Sequence, residues 1–385
     1  MTALAVRLRP LLKPALRLGL LLALVAFLLT TRACHNRLFL FPSSTIAHTP
    51  SEHDLGYEDV SFPNAAGKQL RGWYFAAQDP LGAVVLNHGN HGNIGGYLDY
   101  AACLTHARIS LLLYDYQGFG KSEGGASVGS LVTDGLAAFD YLAARPDAPA
   151  KIAVMGVSLG TPVSCAVAAA RPQACALVLE GAFSPAEELY WRFGTLGSPM
   201  AFIISRTMPR IRPADDLRKL AGRPLLMVHG SADRTTPVAG AAALFESAPN
   251  PKWMWVIDGL QHFPAPIFYK PSEYGRVLAA FLEHAFAGRP FEQPAVTWAA
   301  SKLGSAPWQV AANVTAVPAG GTVTLVVTTA DNKTVRKEIA PGDPQPVSIS
   351  VGSRPVAVSA FAEPASGSAE PAAGSAQDAP RANAR

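Results

Sequence analysis

A repeated alternation of short apolar runs with helix-like segments, between residues 82 and 286, constrains the fold most strongly. Apolar runs of strand length without polar alternation are typical of parallel strands that helices bury on both faces. Six such runs occupy residues 82–88, 109–115, 151–157, 174–181, 224–230 and 252–258. Two further strand-like segments, "YEDVSF" and "LRGWYFAA", precede them. The sequence therefore predicts an α/β domain over residues 57–290, with a mostly parallel, doubly wound sheet.

The first 33 residues combine a basic start with an uncharged apolar run at 18–31. No acidic residue accompanies the four basic ones, which are Arg7, Arg9, Lys13 and Arg17. They account for the whole net charge of +4, so the rest of the chain is balanced and no nucleic-acid-binding face is expected. Segment 1–33 is therefore predicted to be a membrane anchor or signal segment.

The apolar run leaves its exact role open. A spanning helix usually needs about 17–25 residues, whereas the core of a signal peptide has about 7–15. Snorkelling by Arg17 and Arg32 extends the run, so an uncleaved single-pass anchor is the favoured prediction. A cleaved signal peptide and a lipid-modified Cys34 are the alternatives. In each case the remaining chain is expected outside the cytoplasmic membrane, either tethered there or as a secreted or periplasmic protein.

Other regions lie outside the alternating pattern. Residues 34–56 are rich in turn formers and predict a linker. The segment 184–222 is too long for an ordinary connection of about 2–6 residues, and it predicts a small cap or, alternatively, two extra surface helices. Residues 291–361 alternate polar and β-branched side chains, which predicts a small β-rich appendage of three or four antiparallel strands. The composition of 362–385 predicts a disordered tail.

The most informative motif is "GVSLG", which lies between an apolar strand and an alanine-rich helix. Gly156 and Gly160 flank Ser158 at two residues on either side. Small residues at these positions allow a tight strand-to-helix turn that exposes the central side chain and leaves amides free at the helix start. We therefore predict that Ser158 is a nucleophile at the carboxyl end of the sheet.

A serine nucleophile needs a base, and the base needs an acid that orients it. Asp233 follows one apolar strand and His262 follows the next, so the two occur in the chain order that this architecture uses. The alternative is that Asp233 is a turn residue and His262 a surface histidine. Their joint placement after Ser158 favours a catalytic triad.

Backbone amides are expected to stabilise the oxyanion that such a nucleophile generates. The loop "NHGNHGN" follows an early strand, and Asn90 in this loop is predicted to donate its amide beside that of Leu159.

The histidines and cysteines do not predict a metal site or a disulfide framework. His88 and His91 have the spacing of a ligand pair, but no third ligand is apparent and the intervening glycine favours a turn. Apolar neighbours favour free thiols over a bridge between Cys165 and Cys175 or one that involves Cys103. We therefore expect neither a metal nor another cofactor.

Five blocks in order carry a resemblance to a known family: "LNHGNHGNIGGY", "LLLYDYQGFGKSEG", "GVSLGTP", "HGSADRTTP" and "GLQHF". The chain resembles membrane-anchored α/β-hydrolases of the BEM46/ABHD13–ABHD17 family, including bacterial YfhR-like members, over residues 35–286. The resemblance implies the α/β-hydrolase fold and the triad already derived, and it makes Tyr116 a pocket contact. The chain departs from the family at Gln117, where arginine is frequent, and at His91, where alanine is frequent.

These features predict a serine hydrolase that cleaves a carboxylic ester or thioester in a small-molecule or lipid-like acyl substrate. Trp191 and Phe193 in the predicted cap are expected to line the pocket and to favour an apolar acyl chain. One alternative is a serine aminopeptidase or acyl-peptide hydrolase, in which Glu187 and Glu188 bind a substrate amine. Another is an envelope binding or scaffold protein that uses the C-terminal strands as its interaction surface.

Overall fold

The apolar runs form strands of one central sheet in the computed structural model, which describes residues 36, 39–185, 211–291, 295–301, 305–315, 323–329, 331, 333–340 and 344–362. The first ten strands in chain order are β1 (Phe41–Pro42), β2 (Glu58–Pro63), β3 (Gln69–Phe75), β4 (Gly82–Asn87), β5 (His91–Gly92), β6 (Ile109–Tyr114), β7 (Ile152–Val157), β8 (Ala174–Glu180), β9 (Leu225–Gly230) and β10 (Lys252–Ile257). Within the described ranges, eight of them are ordered β10-β9-β8-β7-β4-β6-β3-β2.

The sheet is parallel except at one edge. Strands β10 to β6 pair in parallel, whereas β3 is antiparallel to β6 and β2 is antiparallel to β3. Every residue of β4, β6, β7 and β9 is buried, as expected for strands covered on both faces. The predicted α/β fold with a mostly parallel sheet is confirmed.

Helices cover both faces of this sheet. They are α1 (Leu98–His106), α2 (Leu131–Ala144), α3 (Gly160–Ala170), α4 (Pro213–Leu217), α5 (Val238–Ser247), α6 (Pro266–Tyr269) and α7 (Pro271–Phe286). Helices α2, α3 and α5 pack into one apolar cluster, and α1 and α7 into another. Strand β7 contributes to both clusters, because Val154 and Met155 point to opposite faces.

The segment predicted as a linker packs against the α/β domain from residue 39 onward. Phe39 and Leu40 are buried in the core, and β1 pairs in parallel with β5. The side chain of Asn93 donates to the carbonyls of Ser43, at 3.0 Å, and Thr45, at 2.7 Å. The segment therefore holds the loop that follows β4.

The described C-terminal region forms six strands in two small sheets, whereas the sequence predicts three or four strands. Its strands are β11 (Ala295–Ser301), β12 (Trp308–Thr315), β13 (Val323–Thr329), β14 (Thr334–Ile339), β15 (Val347–Val351) and β16 (Pro355–Ala362). Their antiparallel orders are β11-β12-β15 and β14-β13-β16. The two sheets share an apolar cluster of their own.

Several predicted regions lie wholly or partly outside the described residues. They include the anchor and signal segment at 1–33, most of the cap at 184–222, and the tail at 362–385. The described end of the cap region contains α4 and a short 3-10 turn at Arg218–Leu220. Among the described residues, no helix has the length and apolar character needed to cross a membrane.

Candidate active site

Steric contacts determine the conformation at "GVSLG". Strand β7 ends immediately before Ser158, which adopts a left-handed backbone conformation with φ of 49°. A Cβ atom on Gly156 would lie 2.4 Å from the carbonyl oxygen of Gly160, and a Cβ on Gly160 would lie 1.8 Å from that of Asn87. Neither position accepts a side chain without backbone movement. The two glycines therefore allow the turn that places Ser158 in the wall of a cavity.

The structure brings the three predicted triad residues together. The Oγ atom of Ser158 lies 2.9 Å from Nε2 of His262, and Nδ1 of His262 lies 2.7 Å from Oδ2 of Asp233. Asp233 follows β9 and His262 follows β10, so both side chains reach Ser158 from the carboxyl ends of neighbouring parallel strands. This geometry is suited to the transfer of a proton from the serine to the histidine.

Hydrogen bonds hold Asp233 as a carboxylate. Its Oδ1 accepts from the amides of Thr235 and Thr236, each at 2.8 Å, and its Oδ2 accepts from the Thr236 hydroxyl at 2.8 Å. Burial disfavours the charge, but the hydrogen bond from His262, the attraction of the His229 and His262 rings and the Thr236 amide together keep the pKa of Asp233 below its ordinary value. Sequence reasoning did not identify Thr236, although the "DRTT" turn offered a signal.

The cavity beside Ser158 has a volume of about 350 Å³. Most of its described lining is apolar or aromatic, and two exposed aromatic side chains, Phe263 and Phe268, lie in its wall. Other lining residues include Asn90, His91, Tyr97, Tyr100, Glu180, Leu260 and Pro266. The cavity is large enough for a small substrate that is partly apolar.

The two residues predicted to donate oxyanion amides lie next to the serine. Asn90 lies in the cavity wall with Ser158, and its carbonyl accepts from the amide of Phe41 at 2.8 Å. Leu159 immediately precedes α3, where helix amides are available to an anion. Their role as an oxyanion hole remains a prediction.

Tyr116, predicted as a pocket contact, is fully buried and is not among the described residues that line the cavity. Its hydroxyl donates to the carbonyl of His88 at 3.1 Å, and the two rings lie in contact. The apolar core encloses the Tyr116 ring, and its hydroxyl therefore holds the loop before Asn90 against this core. His88 is buried as well, whereas His91 is exposed at the cavity. Within the described ranges, no cluster of three or more His, Cys, Asp or Glu residues could hold a metal ion.

The structure describes the predicted free cysteines except Cys34, but not the residues predicted to line the cap side of the pocket. Trp191, Phe193, Glu187 and Glu188 lie outside the described residues. The described cysteines, which are Cys103, Cys165 and Cys175, are free thiols.

A buried acid that sequence reasoning missed lies in the same cavity. Glu180 ends β8, and its oxygens accept from the hydroxyls of Tyr100, at 2.7 Å, and Tyr274, at 2.8 Å. Burial raises the pKa of Glu180 to about 7, although the two hydrogen bonds and the attraction of His262 offset part of this shift. An acid at the end of the apolar run "ACALVLE" was the available signal.

Glu180 is expected to make stability depend on pH. The pKa is raised on folding, so its contribution is fully present below pH 4.5 and is lost as the pH rises through about 7. The free energy of unfolding of the wild type, relative to that of Glu180→Gln, should therefore fall by about 3 kcal/mol over this interval. Urea denaturation at a series of pH values measures the difference.

The matched control is Glu246→Gln, because the Glu246 side chain is 71% exposed and is solvated in both states. A dependence on pH in this control as large as that of Glu180→Gln would contradict the assignment to Glu180. A Glu180→Gln difference that stays constant with pH would contradict a raised pKa at Glu180.

Comparisons with known proteins agree with this architecture. A family model described as serine aminopeptidase, S33, matches residues 78–223. An uncharacterised protein of Mycobacterium tuberculosis is 31% identical over 59% of this chain and 79% of its own length. YfhR of Salmonella typhi is 25% identical over 70% and 95% of the two chains. Bem46 of Schizosaccharomyces pombe is 28% identical over 51% and 67%.

A solved structure extends the likeness to the fold. The esterase Pf2001 of Pyrococcus furiosus superposes with a TM-score of 0.54 and 21% identity, which covers 64% of this chain and all of that one. At this level of identity the likeness concerns the fold alone. The solved structure shows the α/β-hydrolase fold, and the family model and the relatives support a serine hydrolase. The chain belongs to the BEM46/YfhR-like family of α/β-hydrolases.

Proposed function

We propose that the protein hydrolyses carboxylic esters or thioesters through Ser158, His262 and Asp233, with an acyl-enzyme intermediate. The observation that carries this proposal is the pair of contacts at 2.9 Å and 2.7 Å that joins the three side chains in the wall of a cavity. A hydroxyl with a neutral imidazole at this distance has a base for its proton.

The first half of the reaction forms the acyl-enzyme. Ser158 Oγ attacks the acyl carbonyl carbon while Nε2 of His262 takes the hydroxyl proton. Asp233 accepts a hydrogen bond from Nδ1, which selects the tautomer with a free Nε2 and stabilises the imidazolium. The tetrahedral intermediate then expels the alcohol or thiol, which receives the proton from His262. In the second half, water attacks the acyl carbonyl carbon and gives a proton to His262. The tetrahedral intermediate then releases the carboxylic acid as its bond to Ser158 Oγ breaks, and His262 returns the proton to Oγ.

The oxyanion of both tetrahedral intermediates needs donors that are already in place. We assign this role to the amides of Asn90 and Leu159, since Asn90 lies in the cavity wall and Leu159 begins the turn into α3. A donor of this kind contributes about 3–4 kcal/mol to transition-state stabilisation.

The cavity lining supports a substrate with an apolar acyl part. Leu260, Phe263, Pro266 and Phe268 form an apolar and aromatic wall beside His262. An acyl chain placed there leaves water, which favours binding by about 0.8 kcal/mol per buried methylene group. The name of the Pyrococcus furiosus esterase is consistent with this substrate class. Trp191 and Phe193 stay predicted contributors to the pocket.

The assigned nucleophile is tested with a fluorophosphonate probe, which reacts with activated serines. Wild type is expected to be labelled, and Ser158→Ala is expected to show no labelling and to lose ester hydrolysis by about 10⁴-fold or more. Asp233→Asn should keep the serine but label much more slowly, because its side chain favours the wrong histidine tautomer.

The control Ser61→Ala changes an exposed serine of the edge strand β2, whose hydroxyl donates to the Gln69 side chain. This variant should still be labelled by the fluorophosphonate probe. Equal labelling of wild type and Ser158→Ala would contradict the assigned nucleophile.

A second candidate function is a serine aminopeptidase. The description of the matching family model supports it, and so does Glu180, which places an acid in the cavity wall where a substrate amine could bind. The ester proposal is favoured because both Glu180 oxygens already accept hydrogen bonds and the rest of the wall is largely apolar.

A substrate panel separates the two candidates. We expect p-nitrophenyl esters and thioesters to be hydrolysed. Their kcat/KM should rise as the acyl chain lengthens from two carbons, until the chain covers the apolar wall of the cavity. Aminoacyl anilides should react at least about 10-fold more slowly, since the acids of the described wall, Glu180 and Asp233, already accept hydrogen bonds from their neighbours. A preference for anilides that disappears in Glu180→Gln would instead establish the peptidase.

We also propose that residues 1–33 tether the protein to the membrane with the hydrolase domain on the non-cytoplasmic side. The basic start and the apolar run support this placement. The full chain, expressed in bacteria, should sediment with membranes, resist extraction by alkaline carbonate, and be degraded by protease added to spheroplasts. An intact mass without the first 33 residues in a soluble periplasmic fraction would establish the cleaved signal peptide instead.

A further inference from the structure

The C-terminal sheets contact the α/β domain close to the loop that carries His262. Strand β16 packs beside α5 and β10, and β14 brings Thr334 and Arg336 to Asp258. Asp258 is the first residue after β10, and His262 follows four positions later. The link between the two parts of the protein therefore begins at the root of the His262 loop.

Asp258 connects three segments of the chain. Its Oδ1 accepts from the hydroxyls of Thr334, at 2.5 Å, and Ser231, at 3.1 Å, and its Oδ2 forms an ion pair with Arg336. Burial disfavours the charge on this half-buried carboxyl, but the hydrogen bonds from Thr334 and Ser231 and the Arg336 charge hold its pKa below the ordinary value. Asp258 is therefore a carboxylate that can serve all three donors.

Ser231 carries the connection onward to the acid of the triad. Its hydroxyl accepts from the amide of Gly259 at 2.9 Å, and its own amide donates to the carbonyl of Ile257 at 2.9 Å. The next residue, Ala232, donates to the carbonyl of Leu260 at 3.0 Å. The loop before Asp233 and the loop before His262 are thus tied to each other where Asp258 receives Thr334 and Arg336.

We propose that Thr334 and Arg336 are positioning residues, through which the C-terminal strands hold the loops of His262 and Asp233 in place. The effect on catalysis rests on the proposed function of the triad, whereas the effect on loop motion does not. Proton transfer from Ser158 requires a short contact to His262, so a loop that opens more often lowers the fraction of molecules ready to react.

The size of the effect follows from exposure. The Arg336 side chain is 56% exposed and the Asp258 side chain 28%, so solvent weakens their ion pair. Thr334 is half-buried and donates to a charged acceptor, which is the stronger kind of hydrogen bond. We therefore expect a moderate loss from either single change and a larger one from both together.

The test uses the full chain with Thr334→Val, Arg336→Ala and the double variant. The double variant should lower kcat for a p-nitrophenyl ester by about threefold to tenfold, because His262 is within reach of Ser158 less often. KM should change less than kcat, because most of the described cavity wall lies outside this loop, although Leu260 and Phe263 move with it. Hydrogen exchange at residues 258–263 should quicken, while exchange at 152–160, in β7 and the Ser158 turn, should stay as in wild type.

Two variants serve as controls. Thr334→Ser keeps the hydroxyl, so its kcat and its hydrogen exchange at residues 258–263 should equal those of wild type. Lys337→Ala removes an exposed cation from the same strand, but strand alternation directs this side chain to the face opposite Arg336, so it should change neither readout.

The outcomes separate this proposal from the proposed function. A double variant with wild-type kcat and wild-type exchange at 258–263 would overturn the positioning role. Faster exchange throughout the α/β domain would also overturn it, since that result means general destabilisation. An inactive and unlabelled wild type would refute the serine hydrolase assignment to Ser158, whereas the exchange measurement would still decide whether these strands hold the loop.

Discussion

The close approach of α3 to β4 is the contact on which the active site depends. Gly160 lies against the carbonyl of Asn87 with no room for a side chain, and Asn87 itself bonds to Ser164 and Tyr114 inside the core. This buried network fixes the start of α3 against the end of a central strand. The left-handed conformation of Ser158 is strained for a residue with a side chain, and it persists because the packing around it leaves no alternative.

Two buried acids near His262 differ in charge because their surroundings differ. Asp233 receives two amides and a hydroxyl besides the imidazole, and together with the nearby histidine rings these donors outweigh the cost of burial. Among the described residues, Glu180 accepts hydrogen bonds from the hydroxyls of Tyr100 and Tyr274 and is attracted by His262, and the effect of burial on its pKa prevails. The ionised acid is therefore the one in contact with His262, where it can stabilise an imidazolium, while the other changes charge near neutral pH.

The sequence was sufficient to predict features that depend on local pattern and chain order. Apolar runs located the strands, and glycines around Ser158 predicted the turn. It was insufficient where distant segments meet. Tyr116 belonged to a motif associated with the pocket, yet the core encloses it, and Glu180 acquires its shifted pKa only from tyrosines on α1 and α7. The apparent linker at 34–56 likewise contains Phe39, whose burial depends on strands that come later in the chain.

Both flanks of the α/β domain contribute to holding its loops. On the N-terminal side, β1 pairs with β5, and Phe41 donates to the carbonyl of Asn90, the residue assigned to the oxyanion hole. On the C-terminal side, Thr334 reaches Asp258 at the root of the His262 loop. The parallel sheet alone places the ends of the strands, but loops beyond those ends have few neighbours within the sheet. The segments predicted as a linker and an appendage supply those neighbours, so the contacts that hold the loops of the candidate active site come in part from outside the α/β domain that carries Ser158, Asp233 and His262.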